Sequence, residues 1–484
     1  MNNLKYISGE CGSGKGNHMK ASIRNAPMSN YLIVQPTQML IDSFVKSMNH
    51  PNIQVRTSET NPTDLLASIN QVLASADSTV LFITDKMFYK IDAFRLKGWV
   101  IFMDDCVSIC EVRNVAKSTK DNIEEVYRRM FITGDYIEVN ADVDNGVGEN
   151  AMYRTYELCP YENVSYDLRD AWNRYNELSC YHNYGIYEKS LDSDFDQVIL
   201  YGQYDLTRYM ELDLDITYLS NNFEATLLYK FWKYYLTEVE FNKQWREDNN
   251  SRLVVNYFYK NVEADKYGLS KATMISDKND NIKKVQEYIN STLNIPYYWT
   301  KNSDDRIKFN LNGDYVTPNQ RGINSLQHYE ACVFMAAMNP SATVLPHYET
   351  LWGFTVSDIK CQWEYETFNQ FVYRGIIRNQ SSEATMVVYC YDEATARTIT
   401  GASYNHIELE LTQRNKGGRS TKFTDQDKAL DVRFRSWKKS NSTKPNAKTL
   451  FYKWRDKQEQ IAEERGECWL DQLDRYEKAL GYRA

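Results

Sequence analysis

Residues 9–16 read Gly-Glu-Cys-Gly-Ser-Gly-Lys-Gly and follow the mainly apolar start Leu4-Lys5-Tyr6-Ile7. Successive backbone N–H groups in such a glycine-rich turn form a concave anion site, and the positive end of the next helix adds to it. Lys15 is expected to reach the β- and γ-phosphates of a nucleotide. The usual pattern ends Gly-Lys-Ser/Thr, but Gly16 lacks the hydroxyl that ligates Mg²⁺. The stretch therefore predicts nucleotide binding more firmly than hydrolysis. The residues expected to bind the nucleotide here are Gly9, Gly12, Ser13, Gly14, Lys15 and Gly16.

Bulk composition places the chain among ordinary globular proteins. It has 484 residues, of which 42% are hydrophobic and 25% charged, enough for two or three domains. Its nine cysteines include no Cys-x-x-Cys pair, so neither a disulfide framework nor a zinc site is predicted. No apolar run approaches the roughly 18 residues of a membrane span, and the start does not resemble a signal peptide. We expect a cytoplasmic protein that does not bind membranes.

Short apolar runs alternate with helical patterns over the first 225 residues, at 31–34, 80–83 and 99–103. Such alternation is typical of a parallel sheet covered by helices. Residues from about 113 to 195 are polar and rich in Tyr, Asn and Asp, and we interpret them as an insertion whose role cannot be read. The strand pattern is expected to resume at 198–201 and 216–219.

A second α/β region is predicted over residues 226–400. Strands are expected near 253–257, 331–336 and 385–391, with a helix over about 367–378. The predicted fold class is therefore α/β, with two parallel-sheet domains in tandem.

Residues 401–484 form a predicted basic, mainly helical C-terminal extension, with a final helix over about 448–480. Between residues 414 and 457 there are 14 Lys/Arg against 4 Asp/Glu, a local excess of 14 − 4 = +10. Cations neutralise phosphates and aromatic rings stack on unpaired bases, so this pattern favours nucleic-acid binding. The alternative is a basic helix packed on the acidic body of the protein, with Trp437 as an anchor. The residues expected to bind nucleic acid here are Arg433, Arg435, Trp437 and Lys438.

Two acidic residues close the apolar run at 99–103. Asp104 is placed to hold Mg²⁺ beside the phosphate loop, and Asp105 is placed to orient or deprotonate the attacking water. An acidic pair at a strand end is otherwise often only solvated.

The segment 370–378 reads Gln-Phe-Val-Tyr-Arg-Gly-Ile-Ile-Arg. On a helix, Gln370, Arg374 and Arg378 would share one face because they are spaced i, i+4 and i+8. An arginine delivered to a γ-phosphate stabilises the charge that develops there, with Arg374 the favoured residue. The alternative is an ordinary solvated helix face.

These three elements, in this order, resemble a superfamily-2 helicase of the DEAD/DEAH-like type, closest to the divergent bacteriophage helicases. Residues 9–16 resemble motif I, 104–107 motif II and 370–378 motif VI. Weaker likenesses are Gln35-Pro36-Thr37-Gln38 to motif Ia, 219–222 to motif III, and Arg321-Gly322-Ile323-Asn324 to motif V. The resemblance implies two RecA-like domains with ATP and Mg²⁺ in the cleft between them. It also implies nucleotide contacts from Gly322 and Asn324, and nucleic-acid contacts from Pro36, Thr37 and Arg321.

The chain departs from this family at several positions. Gly16 replaces the motif I hydroxyl, Asp105 replaces the usual Glu, motif III lacks its Ser/Thr-Ala-Thr form, and Arg378 lies one position late. The leading interpretation is an ATP-dependent helicase or translocase acting on single-stranded or duplex DNA, with RNA left open, in phage replication or recombination. A partner protein could bind through the insertion or the C-terminal extension, and the location would then be the host cytoplasm.

Two alternatives remain at this stage. One is a nucleic-acid-binding scaffold with a weakened ATPase, which Gly16 and the altered motif III favour. The other is a packaging-motor ATPase of the terminase type. Such a motor would carry a nuclease domain with separated carboxylates for two metals, and the sequence has no convincing one.

Overall fold

The computed structural model describes most of the chain, and it separates into two compact units, Met1–Leu411 and Thr412–Ala484. Each unit is described by itself below. The described residues are 4–61, 63–75, 77–114, 130–137, 153–164, 169–187, 199–244, 246–260, 269–277, 280–319, 325–338, 340–341, 344–411, 425–442, 444, 446–464 and 470–482.

All strands among the described residues belong to the first unit. In chain order they are β1 Leu4–Ser8, β2 Asn30–Gln35, β3 Ile53–Val55, β4 Val80–Thr84, β5 Trp99–Asp104, β6 Cys110–Asn114, β7 Phe131–Ile137, β8 Tyr153–Leu158, β9 Asn183–Tyr187, β10 Ile199–Gln203, β11 Asp215–Ser220, β12 Leu236–Glu238, β13 Leu253–Tyr259, β14 Tyr298–Thr300, β15 Asp314–Tyr315, β16 Ala331–Phe334, β17 Met386–Asp392 and β18 Ser403–His406.

The helices are distributed over both units. In chain order they are α1 Lys15–Asn25, α2 Gln38–Lys46, α3 Leu65–Ser75, α4 Asp85–Phe88, α5 Arg169–Asn176, α6 Thr207–Glu211, α7 Leu227–Trp232, α8 Lys271–Ser276, α9 Asn281–Thr292, α10 Leu345–Trp352, α11 Val356–Lys360, α12 Glu366–Val372, α13 Glu393–Ala396, α14 Asp425–Asn441, α15 Ala447–Glu464 and α16 Leu470–Ala479. A π-helical turn, Cys361–Tyr365, joins α11 to α12.

The first parallel sheet has the strand order β12-β1-β11-β5-β2-β4-β3. Its central strands are almost wholly apolar because both faces are covered, as the sequence predicted. Register places the ends of three strands at one edge of the sheet, with Ser8 opposite Ser220 and Leu219 opposite Asp104. The phosphate loop and the acidic pair both follow strands at that edge. This sheet and its flanking residues, 4–244, are called the first half.

The inserted region is an antiparallel sheet of order β6-β10-β9-β8-β7 with its own apolar core, centred on Phe131, Tyr156 and Leu200. It spans 110–203, somewhat more than the predicted 113–195. The strand predicted at 198–201 is present as β10, but it pairs antiparallel with β6 and β9 and so belongs to the insertion. A four-residue apolar run predicts a strand but carries no information about its partner.

The second parallel sheet has the order β15-β14-β16-β17-β13-β18. Apolar clusters cover both faces, one containing Val255, Val388 and Phe371 and the other Phe258, Ile289 and Val333. This sheet and its helices, 246–411, are called the second half. The two parallel sheets confirm the α/β class and are as expected for two RecA-like domains.

The domain boundaries remain a proposal. The sequence suggested 1–225, 226–400 and 401–484, whereas β12 pairs with β1 and so extends the first sheet to residue 238. We therefore propose a first boundary near residue 245 and a second near 411.

One part of the second half packs on the first half and the insertion. Tyr348 and Ile359 lie in the hydrophobic cluster of the first sheet. The Val112 backbone N–H donates to the Tyr348 hydroxyl at 3.0 Å, and the Tyr153 hydroxyl lies 2.6 Å from His347 Nδ1. Burial lowers the pKa of His347 to about 4, so this contact is made by a neutral imidazole. Helices α10 and α11 therefore tie the insertion to the chain that leads into α12.

The second unit is helical, as predicted. Helices α14, α15 and α16 enclose a core in which the Phe434 ring stacks on Tyr476 with centroids 3.9 Å apart. The predicted helix over 448–480 is described as two stretches, α15 and α16.

Candidate functional site

The phosphate loop has the backbone that its glycines predict. Gly12 and Gly14 have φ of 89° and 96°, a region that residues with a Cβ rarely adopt. Gly14 is the N-cap of α1, and Lys15 is the first residue of that eleven-residue helix. The Lys15 ammonium donates to the carbonyls of Gly9 at 2.5 Å and Glu10 at 3.0 Å. It therefore lies across the concave side of the loop, where a nucleotide phosphate could replace the two carbonyls.

Gly9 and Ser13 shape the loop from behind. A Cβ on Gly9 would lie 2.7 Å from Ser13 Oγ and 2.9 Å from Phe241 Cζ, so only glycine fits. Ser13 is fully buried. The Gln244 backbone N–H donates to the Ser13 carbonyl at 2.8 Å. The chain that leaves the first half thus closes the back of the loop, a contact that no local sequence pattern indicated.

Asp104 ends β5, and a neighbouring strand holds its carboxylate. Gln35, the last residue of β2, donates from Nε2 to Asp104 Oδ2 at 2.7 Å. Because β2 and β5 are adjacent and parallel, their ends meet at the same edge. Gln35 therefore orients Asp104, the proposed metal ligand. The sequence had indicated Gln35 only as part of the segment that resembles motif Ia.

Asp105 has left-handed backbone, with φ of 57°. Its N–H donates to the Leu219 carbonyl at 2.8 Å, and the Ser220 hydroxyl donates to its Oδ1 at 3.4 Å. Asp is among the few residues with a Cβ that enter this region readily. The turn gives a physical reason for Asp where the family has Glu.

The segment 370–378 departs from the single helix that its spacing predicted. Helix α12 ends at Val372, and a short 3₁₀ turn, Ile376–Arg378, follows. At this helix end the Tyr298 hydroxyl donates to the Phe371 carbonyl at 2.7 Å and to the Val372 carbonyl at 3.2 Å, carbonyls that a helix end leaves without an α-helical partner. Gln370, Arg374 and Arg378 therefore do not share a helix face.

All six predicted catalytic residues nevertheless line one cavity of about 430 Å³ between the two halves. The first half contributes the phosphate loop and the acidic pair, and the second half contributes the amide and both guanidinium groups. Arg374 is only 4% exposed, so its charge lies close to low-dielectric protein. The predicted residues in this lining are Gly12, Gly14, Lys15, Gly16, Asp104, Asp105, Gln370, Arg374 and Arg378.

Two residues that line this cavity are joined by the carboxylate of Glu366, which the motifs did not identify. Asn221 donates from Nδ2 to Glu366 Oε2 at 2.6 Å, and Gln370 donates from Nε2 to Glu366 Oε1 at 2.8 Å. Burial, and then the negative charge of Glu366, raises the pKa of the Cys11 thiol in the phosphate loop to about 12. Glu366 therefore lies close to the loop, and its spacing of i−4 from Gln370 was the sequence signal that could have found it.

A second cavity of about 310 Å³ adjoins the first, since Asp105 and Gln370 line both. Pro36 and Thr37 line this second cavity, together with Trp363 and Glu366. Thr37 also caps α2 by accepting from the Leu40 N–H at 3.3 Å. The motif Ia residues therefore lie next to the candidate nucleotide site.

The other predicted residues lie outside the described ranges or in the C-terminal unit. Arg321, Gly322 and Asn324 lie outside the described residues. In the C-terminal unit Arg435 and Lys438 are exposed, while Arg433 donates to Gln458 Oε1 at 3.0 Å. The prediction that Trp437 stacks on bases is wrong in this structure, because its ring is buried in the core of the unit.

The residues present fit a magnesium ion held mainly by its nucleotide. Within the described residues no three His, Cys, Asp or Glu side chains group as a metal site. Mg²⁺ bound with a nucleotide commonly takes only one or two carboxylates, with phosphate and water oxygens completing the shell. Asp104 supplies such a carboxylate, whereas Gly16 has no hydroxyl to add.

Comparisons with known proteins give little beyond this. No protein-family model and no curated protein matches the chain. Among solved structures it is similar to an apo form of XPD, with 10% identity over 84% of this chain and 97% of that one and a TM-score of 0.46. It is also similar to Xpd4 of S. tokodaii, with 9% identity, coverage of 84% and 96% and a TM-score of 0.46. An XPD helicase shows 12% identity, coverage of 84% and 96% and a TM-score of 0.44. At these scores the similarity is weak, and the function proposed below rests on the geometry of the site.

No helix in the described ranges is both long and apolar enough to cross a bilayer.

Proposed function

We propose that the protein is an ATP-dependent nucleic-acid helicase or translocase. The observation that carries this proposal is the cavity between the halves, where Lys15 and Asp105 face a lining shared with Arg374. A site divided between two α/β halves is completed only when both halves are in place, and nucleotide binding can therefore be coupled to their relative motion. The DEAD/DEAH-like and bacteriophage assignment, with a role in phage DNA replication or recombination, is supported by motif order alone.

In this proposal the phosphates bind at the N-terminus of α1. The loop N–H groups and the Lys15 ammonium contact the β- and γ-phosphates, and Asp104, oriented by Gln35, holds Mg²⁺. When bound, Mg²⁺ neutralises charge on the β- and γ-phosphates. Arg374 and Arg378 approach from the second half and stabilise the charge that develops on the transferred phosphoryl group.

Hydrolysis then needs a positioned water. The water oxygen forms a bond to the γ-phosphorus as the bond to the β–γ bridging oxygen breaks, and ADP leaves with that electron pair. Asp105 accepts the water proton, a role that typically contributes about 10² to 10⁴ in rate. An arginine at the γ-phosphate can contribute a further factor of about 10³ to 10⁵.

Nucleic acid is proposed to bind beside the second cavity. Pro36 and Thr37 line that cavity, which shares Asp105 and Gln370 with the nucleotide cavity. A nucleic-acid strand bound there would be separated from the reacting phosphate only by side chains that line both cavities, such as Asp105 and Gln370. The exposed Arg435 and Lys438 of the C-terminal unit offer additional phosphate contacts.

A second candidate is a nucleic-acid-binding scaffold whose ATPase is weakened. The observation that favours it is the absence of a hydroxyl at Gly16 while the nearest loop hydroxyl, on Ser13, is buried. Such a protein would bind ATP and rearrange a complex without separating strands.

A strand-displacement assay tests the proposal. A duplex with a single-stranded tail is incubated with wild-type protein or Lys15→Ala, with and without ATP. If the protein is a helicase, strands separate only when wild-type protein and ATP are both present. DNA-stimulated ATP turnover without strand separation would indicate a translocase, and binding of ATP and DNA with neither activity would favour the scaffold.

A further inference from the structure

The Glu366 carboxylate lies at the junction of the two halves. It begins α12, directly after the π-helical turn Cys361–Tyr365, and π-helical turns occur frequently at functional sites. One of its oxygens accepts from Asn221 of the first half at 2.6 Å, and the other accepts from Gln370 of the second half at 2.8 Å. The carboxylate therefore bridges two amide side chains that come from different halves.

Both amides line the nucleotide cavity, whereas Glu366 lines the second cavity behind them. A carboxylate offers only acceptors, while a side-chain amide has a donor end and an acceptor end. Glu366 therefore selects the NH₂ end of each amide. The carbonyl oxygen of each is then directed away from Glu366 and is available to accept a hydrogen bond.

We propose that Glu366 is a positioning residue for ATP hydrolysis, because it fixes the Asn221 and Gln370 amides with their oxygens available to the attacking water. This inference rests on the proposed function and deepens it. One hydrogen of the water is donated to Asp105 and the other to the amide oxygens, which leaves a lone pair of the water oxygen for the γ-phosphorus. Asp105 takes the proton as the bond to ADP breaks.

The surroundings place this bridge near the reacting phosphate. Asn221 directly follows Ser220, whose hydroxyl donates to Asp105 at 3.4 Å. The charge of Glu366 also acts on the Cys11 thiol, within the phosphate loop. Because the bridge crosses from one half to the other, it forms only when the halves are together. The same contact therefore links closure of the cleft to correct orientation of the water.

The test is Glu366→Gln, which keeps the shape of the side chain. The introduced amide offers one acceptor and one donor. Either Asn221 or Gln370 must therefore turn its oxygen toward residue 366 and away from the water. We expect kcat for ATP to fall about tenfold to a hundredfold, the cost of a small misplacement at a reacting centre. The KM for ATP and the thermal unfolding midpoint should stay close to wild type. Glu366→Asp, which keeps a carboxylate, should lose less.

Two controls separate positioning from a structural role. Glu287→Gln removes a charge from an exposed helix of the second half, where the side chain is 65% exposed, and should not change kcat. In an Asn221→Ala/Gln370→Ala background, Glu366→Gln should cause no further loss, because the groups through which it acts are gone.

Each outcome decides the matter. Three results would overturn the positioning role while the proposed function stands. They are an unchanged kcat in Glu366→Gln, a rise in KM as large as the fall in kcat, and a full additional loss in the Asn221→Ala/Gln370→Ala background. Wild-type protein that binds ATP without turning it over would refute the proposed function, and the role of Glu366 would fall with it.

Discussion

Gly16 is the position where a single hydroxyl should change the dependence on Mg²⁺. It is the second residue of α1 and lines the nucleotide cavity. A Cβ built there would lie 3.4 Å from Phe44 Cε2, which is ordinary van der Waals contact, so serine fits without displacing the backbone. Gly16→Ser therefore supplies the hydroxyl of the usual Gly-Lys-Ser/Thr pattern in a helix that can accept it.

The magnitude follows from two separate terms. Replacing glycine within a helix stabilises it by up to about 1 kcal/mol for alanine and about half of that for serine. An added interaction with a charged group contributes about 1.5 kcal/mol, which corresponds to roughly a tenfold change in binding. Gly16→Ala shares the first term and lacks the second, and it is therefore the matched control.

The assay is a Mg²⁺ titration of ATP turnover, together with equilibrium ATP binding at each Mg²⁺ concentration. We expect the half-saturating Mg²⁺ concentration of Gly16→Ser to be about tenfold below wild type, on the binding estimate above, with Gly16→Ala unchanged. If the serine and alanine variants show the same Mg²⁺ dependence, residue 16 does not face the metal and the assignment of Asp104 loses its support.

Three further predictions concern the reaction, the π-helical turn Cys361–Tyr365 and the segment 370–378. Asp105→Asn should lower single-turnover hydrolysis about 10² to 10⁴-fold while ATP binding persists, and a smaller effect would exclude it as the base. Burial, followed by the charge of Asp392, raises the pKa of Glu364 from 4.5 to about 7. The folded carboxyl thus keeps a proton that the unfolded chain releases, and its contribution to stability, complete below pH 4.5, is lost as pH rises through 7. Urea unfolding of Glu364→Gln from pH 5 to 8 should therefore show a flatter slope, and an unchanged slope would contradict this. In Gly375→Ala the new Cβ would lie 2.4 Å from Met386 Cε, so calorimetry should show a lower unfolding midpoint, and no change would mean that the segment repacks freely.

The sequence was informative wherever local chemistry sufficed. Continuous apolar runs identified the central strands of both parallel sheets, because such strands are buried on both faces. The spacing of the glycines identified the loop at 9–16, and two of them, Gly12 and Gly14, have left-handed backbone. The acidic pair at 104–105 marked a strand end. These features depend on a few neighbouring residues, so a single sequence can carry them.

Features that depend on distant partners were less accessible. The i, i+4, i+8 spacing of 370–378 predicted one helix, but α12 ends at Val372, where its last carbonyls accept from the distant Tyr298 hydroxyl. The three side chains still meet because the second sheet presents this segment to the cleft. In the same way, only the structure reveals that Glu366 faces Asn221 and that Trp437 is buried.

The most direct test of the account is ATP turnover with and without single-stranded DNA, in wild type and Lys15→Ala. The account predicts turnover that DNA stimulates strongly and that the substitution abolishes. Negligible turnover despite measurable ATP binding, or turnover indifferent to nucleic acid, would contradict the proposal of a nucleic-acid motor.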